Sequence, residues 1–161
     1  MGILFWLVAA LVGCFGLGAM LGAPFLPIRR PDLEAALDLA EVTAGQTVID
    51  LGSGDGRLLL AAAKRGASAI GYEINPLLVV WSRAVTWRYR RLVTIHLADF
   101  WRAQLPDADV IYTFLLTRYT KRLDRKLAAE TRRPTKLISY VFELPRPPLK
   151  QTRNTFLYQY P

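Results

Sequence analysis

In the stretch Val48-Ile49-Asp50-Leu51-Gly52-Ser53-Gly54-Asp55-Gly56-Arg57, glycines alternate behind an apolar run that carries one carboxylate. Glycines at the end of a strand let the backbone turn tightly and approach a ligand, and the helix that follows offers unpaired N–H groups and a positive dipole end. The spacing of Gly52, Gly54 and Gly56 is GxGxG. The GxGxxG register of dinucleotide-binding loops is absent, because its third position is Arg57.

Two further acids follow. Glu73 stands where a carboxylate can grip two ribose hydroxyls. Asp99 heads the run Asp99-Phe100-Trp101, where a carboxylate can accept a hydrogen bond from an adenine amino group and Phe100 can cover the ring. Each acid alone reads equally well as a polar strand end capping a helix. In order behind the glycine loop, Asp50, Glu73 and Asp99 suit S-adenosyl-L-methionine, whose sulfonium is positive and which brings no phosphate for three carboxylates to repel.

Strands are expected at Thr47–Leu51, Ser68–Glu73, Leu92–Ala98, Asp109–Leu115, Lys136–Phe142 and Asn154–Tyr160. Helices are expected at Asp32–Val42, with Asp32 as cap or dipole partner, at Arg57–Gly66, from Pro76 to about Arg90 behind an Asn75 cap, and from Thr117 to about Glu130. Strand and helix alternate, so the fold class is α/β with a mostly parallel sheet and helices on both faces. The connector Glu143-Leu-Pro-Arg-Pro-Pro-Leu-Lys-Gln-Thr-Arg153 leaves little room for a crossover helix, so the sixth strand returns antiparallel.

The chain of 161 residues carries no charged side chain before Arg29. Residues 3–23 are apolar over a length that spans a bilayer core as a helix, and no basic n-region marks them as a cleaved signal. Residues 1–28 therefore read as a transmembrane anchor with a proline strap, Pro24-Phe25-Leu26-Pro27, and residues 29–161 as one soluble domain. Arg29 and Arg30 directly after the span place that domain on the cytosolic side. Gly18 and Gly22 form a GxxxG pair within the span, and the only cysteine, Cys14, also lies there, which excludes an intramolecular disulfide. The lone His96 lacks a second ligand, so no metal site is expected. The net charge of +8 suits an anionic membrane surface, an acidic partner or nucleic acid, but no RNA-binding module accompanies it. Trp81, Trp87 and Tyr89 with Arg83, Arg88, Arg90 and Arg91 form one basic aromatic cluster, and Arg118, Lys121, Arg122 and Arg125 a second basic one. Either reads as a solvated helix face or as a face that touches lipid or substrate.

With Asp-Leu-Gly-Ser-Gly-Asp-Gly as first motif, Tyr72-Glu73 as second and Ala98-Asp99-Phe100-Trp101 as third, the sequence resembles class I S-adenosylmethionine-dependent methyltransferases. The longer run from Asp50 to Ala84, the anchor, the proline strap and the Tyr72-Glu-Ile-Asn-Pro76 turn resemble the small membrane-anchored protein-lysine methyltransferases of the adenine nucleotide translocase and the ATP synthase c subunit, with their prokaryotic relatives. The resemblance implies a Rossmann-like methyltransferase sheet with a shortened C-terminus. It also implies S-adenosyl-L-methionine as cofactor, a membrane protein as substrate and a prokaryotic inner membrane as location. The sequence departs from relatives in Ile28-Arg29-Arg30, where Ser or Thr often follows the strap. It also departs in Tyr112-Thr113-Phe114, which stands where many amino-directed methyltransferases carry Asn/Asp-Pro-Pro-Tyr.

Methyl transfer to an amine needs alignment and desolvation more than a dedicated base. Tyr112, Thr113 and Phe114, with Tyr140, are the candidates to line an amine channel, and Glu143 the candidate amine partner. For Tyr112 and Phe114, core packing is the competing reading. A lipid or quinone acceptor and a non-catalytic cofactor-binding membrane domain stand as alternatives to a protein lysine.

Overall fold

The structure is a computed structural model and describes Gly2, Phe5, Trp6 and residues 27–161. The span expected at residues 3–23 and most of the proline strap lie outside the described residues, Phe5 and Trp6 excepted. Among the described residues no helix is long and apolar enough to cross a membrane.

Helix α1 (Arg30–Leu39) starts two residues before its expected N-terminus because Pro31 fits the first turn, where its missing N–H is not needed. It leads to β1 (Thr47–Leu51), α2 (Arg57–Lys64), β2 (Ser68–Glu73) and α3 (Pro76–Val85). Asn75 caps α3 as expected, its side chain accepting from the N–H groups of Leu77 and Leu78. Helix α3 stops short of Arg90: Thr86 leaves helical geometry and Trp87–Tyr89 continue as a single 3-10 turn. Then come β3 (Val93–Leu97), β4 (Val110–Thr113), α4 (Thr117–Glu130), β5 (Thr135–Tyr140), β6 (Lys150–Gln151) and β7 (Thr155–Tyr160).

The strands form one sheet in the order β3-β2-β1-β4-β5-β7-β6. The first five are parallel, and β7 runs antiparallel to β5, as the short connector requires. The sheet has seven strands rather than six. The connector read as irregular contributes the two-residue β6, which pairs back onto β7 through a turn closed by Thr152 N–H to Thr155 C=O at 2.9 Å.

Strand order reverses between β1 and β4, which opens a crevice at the carboxyl ends of these strands. Alternation divides the core. Val48, Ala69, Val110, Tyr112 and Ile138 pack against α1 and α2, while Ile49, Leu51, Ile111 and Leu137 pack against Leu123 and Leu127 of α4. Helix α1 is clamped along its middle and at its C-terminal end. Arg65, at the end of α2, reaches Glu34 at 2.6 Å and Asp38 at 2.8 Å, and Lys136 of β5 donates to the carbonyl of Ala40 at 2.8 Å.

Candidate functional site

The register of β1 decides which side chains meet. Asp50 lies between Gly71 of β2 and Tyr112 of β4, and Glu73 stands two residues beyond Gly71 on the same face. Gly71 is needed there for space, since a Cβ would come within 2.6 Å of Leu59 and 2.7 Å of the Ser53 hydroxyl.

The loop after β1 is held by the strand beside it. The N–H groups of Gly52 and Ser53 both donate to the Tyr72 carbonyl at 2.9 Å. Glu73 then locks the loop to the next turn: one carboxylate oxygen accepts from Gly54 N–H at 2.9 Å and the other from Asn75 N–H at 2.8 Å. Gly56 turns the chain into α2 with φ of 78°, and a Cβ there would stand 2.7 Å from the Ser82 side chain of α3. Left-handed backbone and closeness to α3 together require glycine.

Asp50 is 5% exposed, and no donor reaches its carboxyl among the described residues. Burial, with the charges of Glu73 and Asp55 adding to it, pushes its pKa up to about 8. A cation placed between Asp50 and Glu73 would relieve that cost. The Ser53 hydroxyl, 5% exposed as a residue, is also buried without a partner, and Gly52 has open space where a side chain would be. Uncommitted polar atoms, an open glycine cradle and acidic neighbours fit a nucleoside that carries a positive centre and no phosphate. Ser53 carried no signal in the sequence beyond its place between two glycines.

The third acid is placed differently. Asp99 follows β3 and accepts from Trp101 N–H at 2.9 Å, so it closes its own turn and leaves the second oxygen 3.7 Å from Arg102. Phe100, expected over an adenine, is 8% exposed and belongs to the core on the α4 side, its ring 4.6 Å from that of Trp101. An apolar ring beside a strand end serves a core or a ligand equally well, and Phe100 packs within the core on the α4 side.

Beyond β4 and β5 the site changes character. Tyr112 is 2% exposed and its hydroxyl has no hydrogen-bond partner; burial first, and then the charge of Asp50, raise its pKa. The Tyr140 hydroxyl donates to Asp32 of α1 at 3.0 Å. Phe114 packs edge-on against Tyr140, centroids 5.2 Å apart, and face-on to Phe142 at 6.0 Å. Tyr112, Phe114 and Tyr140 thus share one face, the face of Asp50. Thr113 does not join them: alternation turns it to the α4 side, where its hydroxyl is buried and unpartnered.

Asp32 makes no cap on α1; its carboxylate is used by Tyr140 instead. Glu143, the expected amine partner, is exposed in the turn beyond β5. The acid at the aromatic end of the crevice is therefore Asp32, delivered by the clamped α1. His96 is exposed and stacks on Tyr72 with centroids 5.2 Å apart. No cluster of three or more metal-ligating side chains occurs among the described residues.

A model of the ANTKMT methyltransferase domain matches residues 50–151. The human ATP synthase c-subunit lysine N-methyltransferase is 32% identical over 124 residues, which is 76% of this chain and 53% of that protein. A protein-lysine N-methyltransferase of Saccharolobus islandicus (strain REY15A) is 32% identical over 129 residues, covering 75% of this chain and 78% of the archaeal one. Among solved structures, an RNA methyltransferase from Salinibacter ruber in complex with S-adenosyl-L-homocysteine superposes with a TM-score of 0.77 at 29% identity, over 84% of this chain and 92% of that one. The chain spans about half the length of the vertebrate relatives it matches.

Proposed function

The chain belongs to the ANTKMT methyltransferase domain family, and from that premise we propose that it transfers a methyl group from S-adenosyl-L-methionine to a lysine side-chain amine of a membrane-associated protein. One observation carries the reading. The carboxyls of Asp50 and Glu73, at the glycine loop, share a sheet face with the aromatic cluster that Asp32 reaches through Tyr140.

S-adenosyl-L-methionine supplies an electrophilic methyl carbon on a sulfonium. Around it, Glu73 holds the loop and presents its remaining lone pairs to ribose hydroxyls, while Asp50 offers negative charge to a positive ligand. Asp99 keeps one oxygen for an adenine amino group. A lysine must lose a proton before it can attack, which costs about 4.6 kcal/mol near pH 7. Phe114, Phe142 and the rings of Tyr112 and Tyr140 strip water from the amine, which lowers its pKa. Asp32 accepts a hydrogen bond from the ammonium form at the mouth, and the free Tyr112 hydroxyl can accept one from the amine further in. Alignment and desolvation then supply the acceleration.

The apolar residues 3–23 support anchoring in a bilayer, with the domain on the cytosolic side of a prokaryotic inner membrane. Held there, the site meets membrane proteins at high effective concentration and soluble ones without advantage. A second reading, RNA as acceptor, is favoured by the Salinibacter ruber neighbour and by the net charge of +8.

Incubating the full chain with membranes and methyl-labelled cofactor distinguishes them. Label on a lysine of a membrane-protein peptide is the expected result, and removal of residues 1–28 should sharply reduce it while cofactor binding persists. Label in RNA, or in the organic extract as a methylated lipid or quinone, would overturn the assignment.

A further inference from the structure

Helix α3 is amphipathic the wrong way round for a helix that only serves a core. Its buried residues are Val79 and Ser82, whereas Leu77, Val80, Trp81 and Val85 recur at i, i+3, i+4 and i+8 and are between 38% and 67% exposed. The apolar stripe faces outward. Trp87 in the following 3-10 turn extends it, 63% exposed, with the Arg90 guanidinium 4.7 Å above its ring.

The charges around the stripe are of one sign. From Pro76 to Arg91 there is no Asp or Glu, but Arg83, Arg88, Arg90 and Arg91. Arg83 is braced against the sheet edge by donating to the Ile95 carbonyl at 2.8 Å. Helix α4 is the control within the molecule. It too is rich in Arg and Lys, though it also carries Asp124 and Glu130; two of its arginines lie over rings, Arg122 on Trp101 at 4.2 Å and Arg118 on Tyr119 at 4.8 Å, and it has no exposed large hydrophobic residue. Charge alone would make either helix attractive to an anion; only α3 joins charge to exposed tryptophan.

The inner side of α3, opposite the stripe, lies near the point where the described domain begins. The Ile28 carbonyl, one residue after the described chain begins at Pro27, accepts from the Arg57 guanidinium at the head of α2. Gly56, the residue before Arg57, abuts Ser82 on the inner side of α3.

We propose that the outer face of α3 and its 3-10 extension lies in the headgroup region of an anionic bilayer, with Trp81 and Trp87 at the acyl boundary and the arginines on lipid phosphates. Interfacial helices bind through this combination of apolar area and cationic rim. The bilayer thereby orients the domain about its entry point, with the crevice at the head of α3 held at membrane level. The proposal deepens the membrane setting of the proposed function but rests on α3 itself, so it stands whichever acceptor is methylated.

The test uses the full chain with Cys14→Ser and a fluorophore on Ala84→Cys in the stripe or, as control, on Ala128→Cys of α4. The protein is reconstituted in phosphatidylcholine vesicles with or without phosphatidylglycerol, and quenching by shallow spin-labelled lipid is read. The expected result is a blue shift and several-fold stronger quenching at position 84 than at 128, dependent on phosphatidylglycerol. The combined change Arg88→Gln, Arg90→Gln and Arg91→Gln should weaken docking by about fivefold per arginine. Equal quenching at the two positions, or quenching indifferent to lipid charge and to the arginines, would overturn the proposal. A shift in detergent that grows with protein concentration would give the face to a second copy, and one driven by added RNA but not by vesicles would give it to nucleic acid. Cofactor binding to each labelled variant shows that the domain is folded.

Discussion

The two halves of the crevice are built from opposite materials. Around β1 and β2 the contacts are backbone amides and carboxylates already joined: Gly54 and Asn75 to Glu73, Gly52 and Ser53 to Tyr72. Around β4 and β5 they are rings and hydroxyls, with Tyr112 left unpartnered and Tyr140 turned to an acid from α1. The first half is preorganised to hold a polar ligand in one pose. The second is largely apolar and leaves the Tyr112 hydroxyl free for a group that arrives. The proposed methyl transfer to an amine needs both, rigidity for the donor and desolvation for the acceptor.

Changes in the first half should therefore cost binding, and changes in the second turnover. The largest effect is expected for Glu73→Ala, which frees two backbone N–H groups and removes the ribose partner. At about 1.5–3 kcal/mol per charged hydrogen bond, cofactor affinity should fall by roughly a hundredfold or more in a direct titration. An unchanged affinity would erase the contrast.

Protonation of Asp50 sharpens the same contrast. Its carboxyl, raised to about 8, holds a proton in the folded chain that the unfolded chain has released. The free protein should thus lose stability as pH rises from about 4 through about 8, and affinity for a positively charged cofactor should rise over the upper part of that range by up to about tenfold per pH unit. Thermal unfolding and binding followed against pH check both, and Asp50→Asn should flatten both profiles.

Gly56→Ala strains a left-handed residue against Ser82 and should lower stability by about 2–3 kcal/mol in thermal unfolding. Tyr112→Phe should do the reverse: removing a buried hydroxyl without a partner leaves stability unchanged or raises it by up to about 1 kcal/mol. Turnover should nevertheless fall by about tenfold, with cofactor affinity intact.

The same division separates what the sequence revealed from what it hid. The donor half is local in sequence: Asp50, the glycines and Glu73 belong to one strand-loop-helix-strand unit, whose spacing fixes the register once the strands are read. The aromatic half depends on long-range pairing. Asp32 and Tyr140 are 108 residues apart, and nothing in the periodicity around Asp32 distinguishes a helix cap from a partner for a distant hydroxyl. Glu143 is the nearer acid in sequence, but the turn after β5 leaves it exposed and the Tyr140 hydroxyl bonds Asp32 instead. Phe100 was ambiguous because apolar rings carry no sign of whether a core or a ligand will cover them. Strand β6 is hidden in the sequence for a related reason, since two residues in a proline-rich connector cannot display an alternation.

The most direct test of the central claim is a calorimetric titration of the full chain with S-adenosyl-L-methionine and, separately, with a nicotinamide dinucleotide. Saturable binding of the first, lost in Glu73→Ala, and none of the second is the predicted result. Binding of the dinucleotide, or of the sulfonium ligand with equal strength whether or not Glu73 is present, would contradict it.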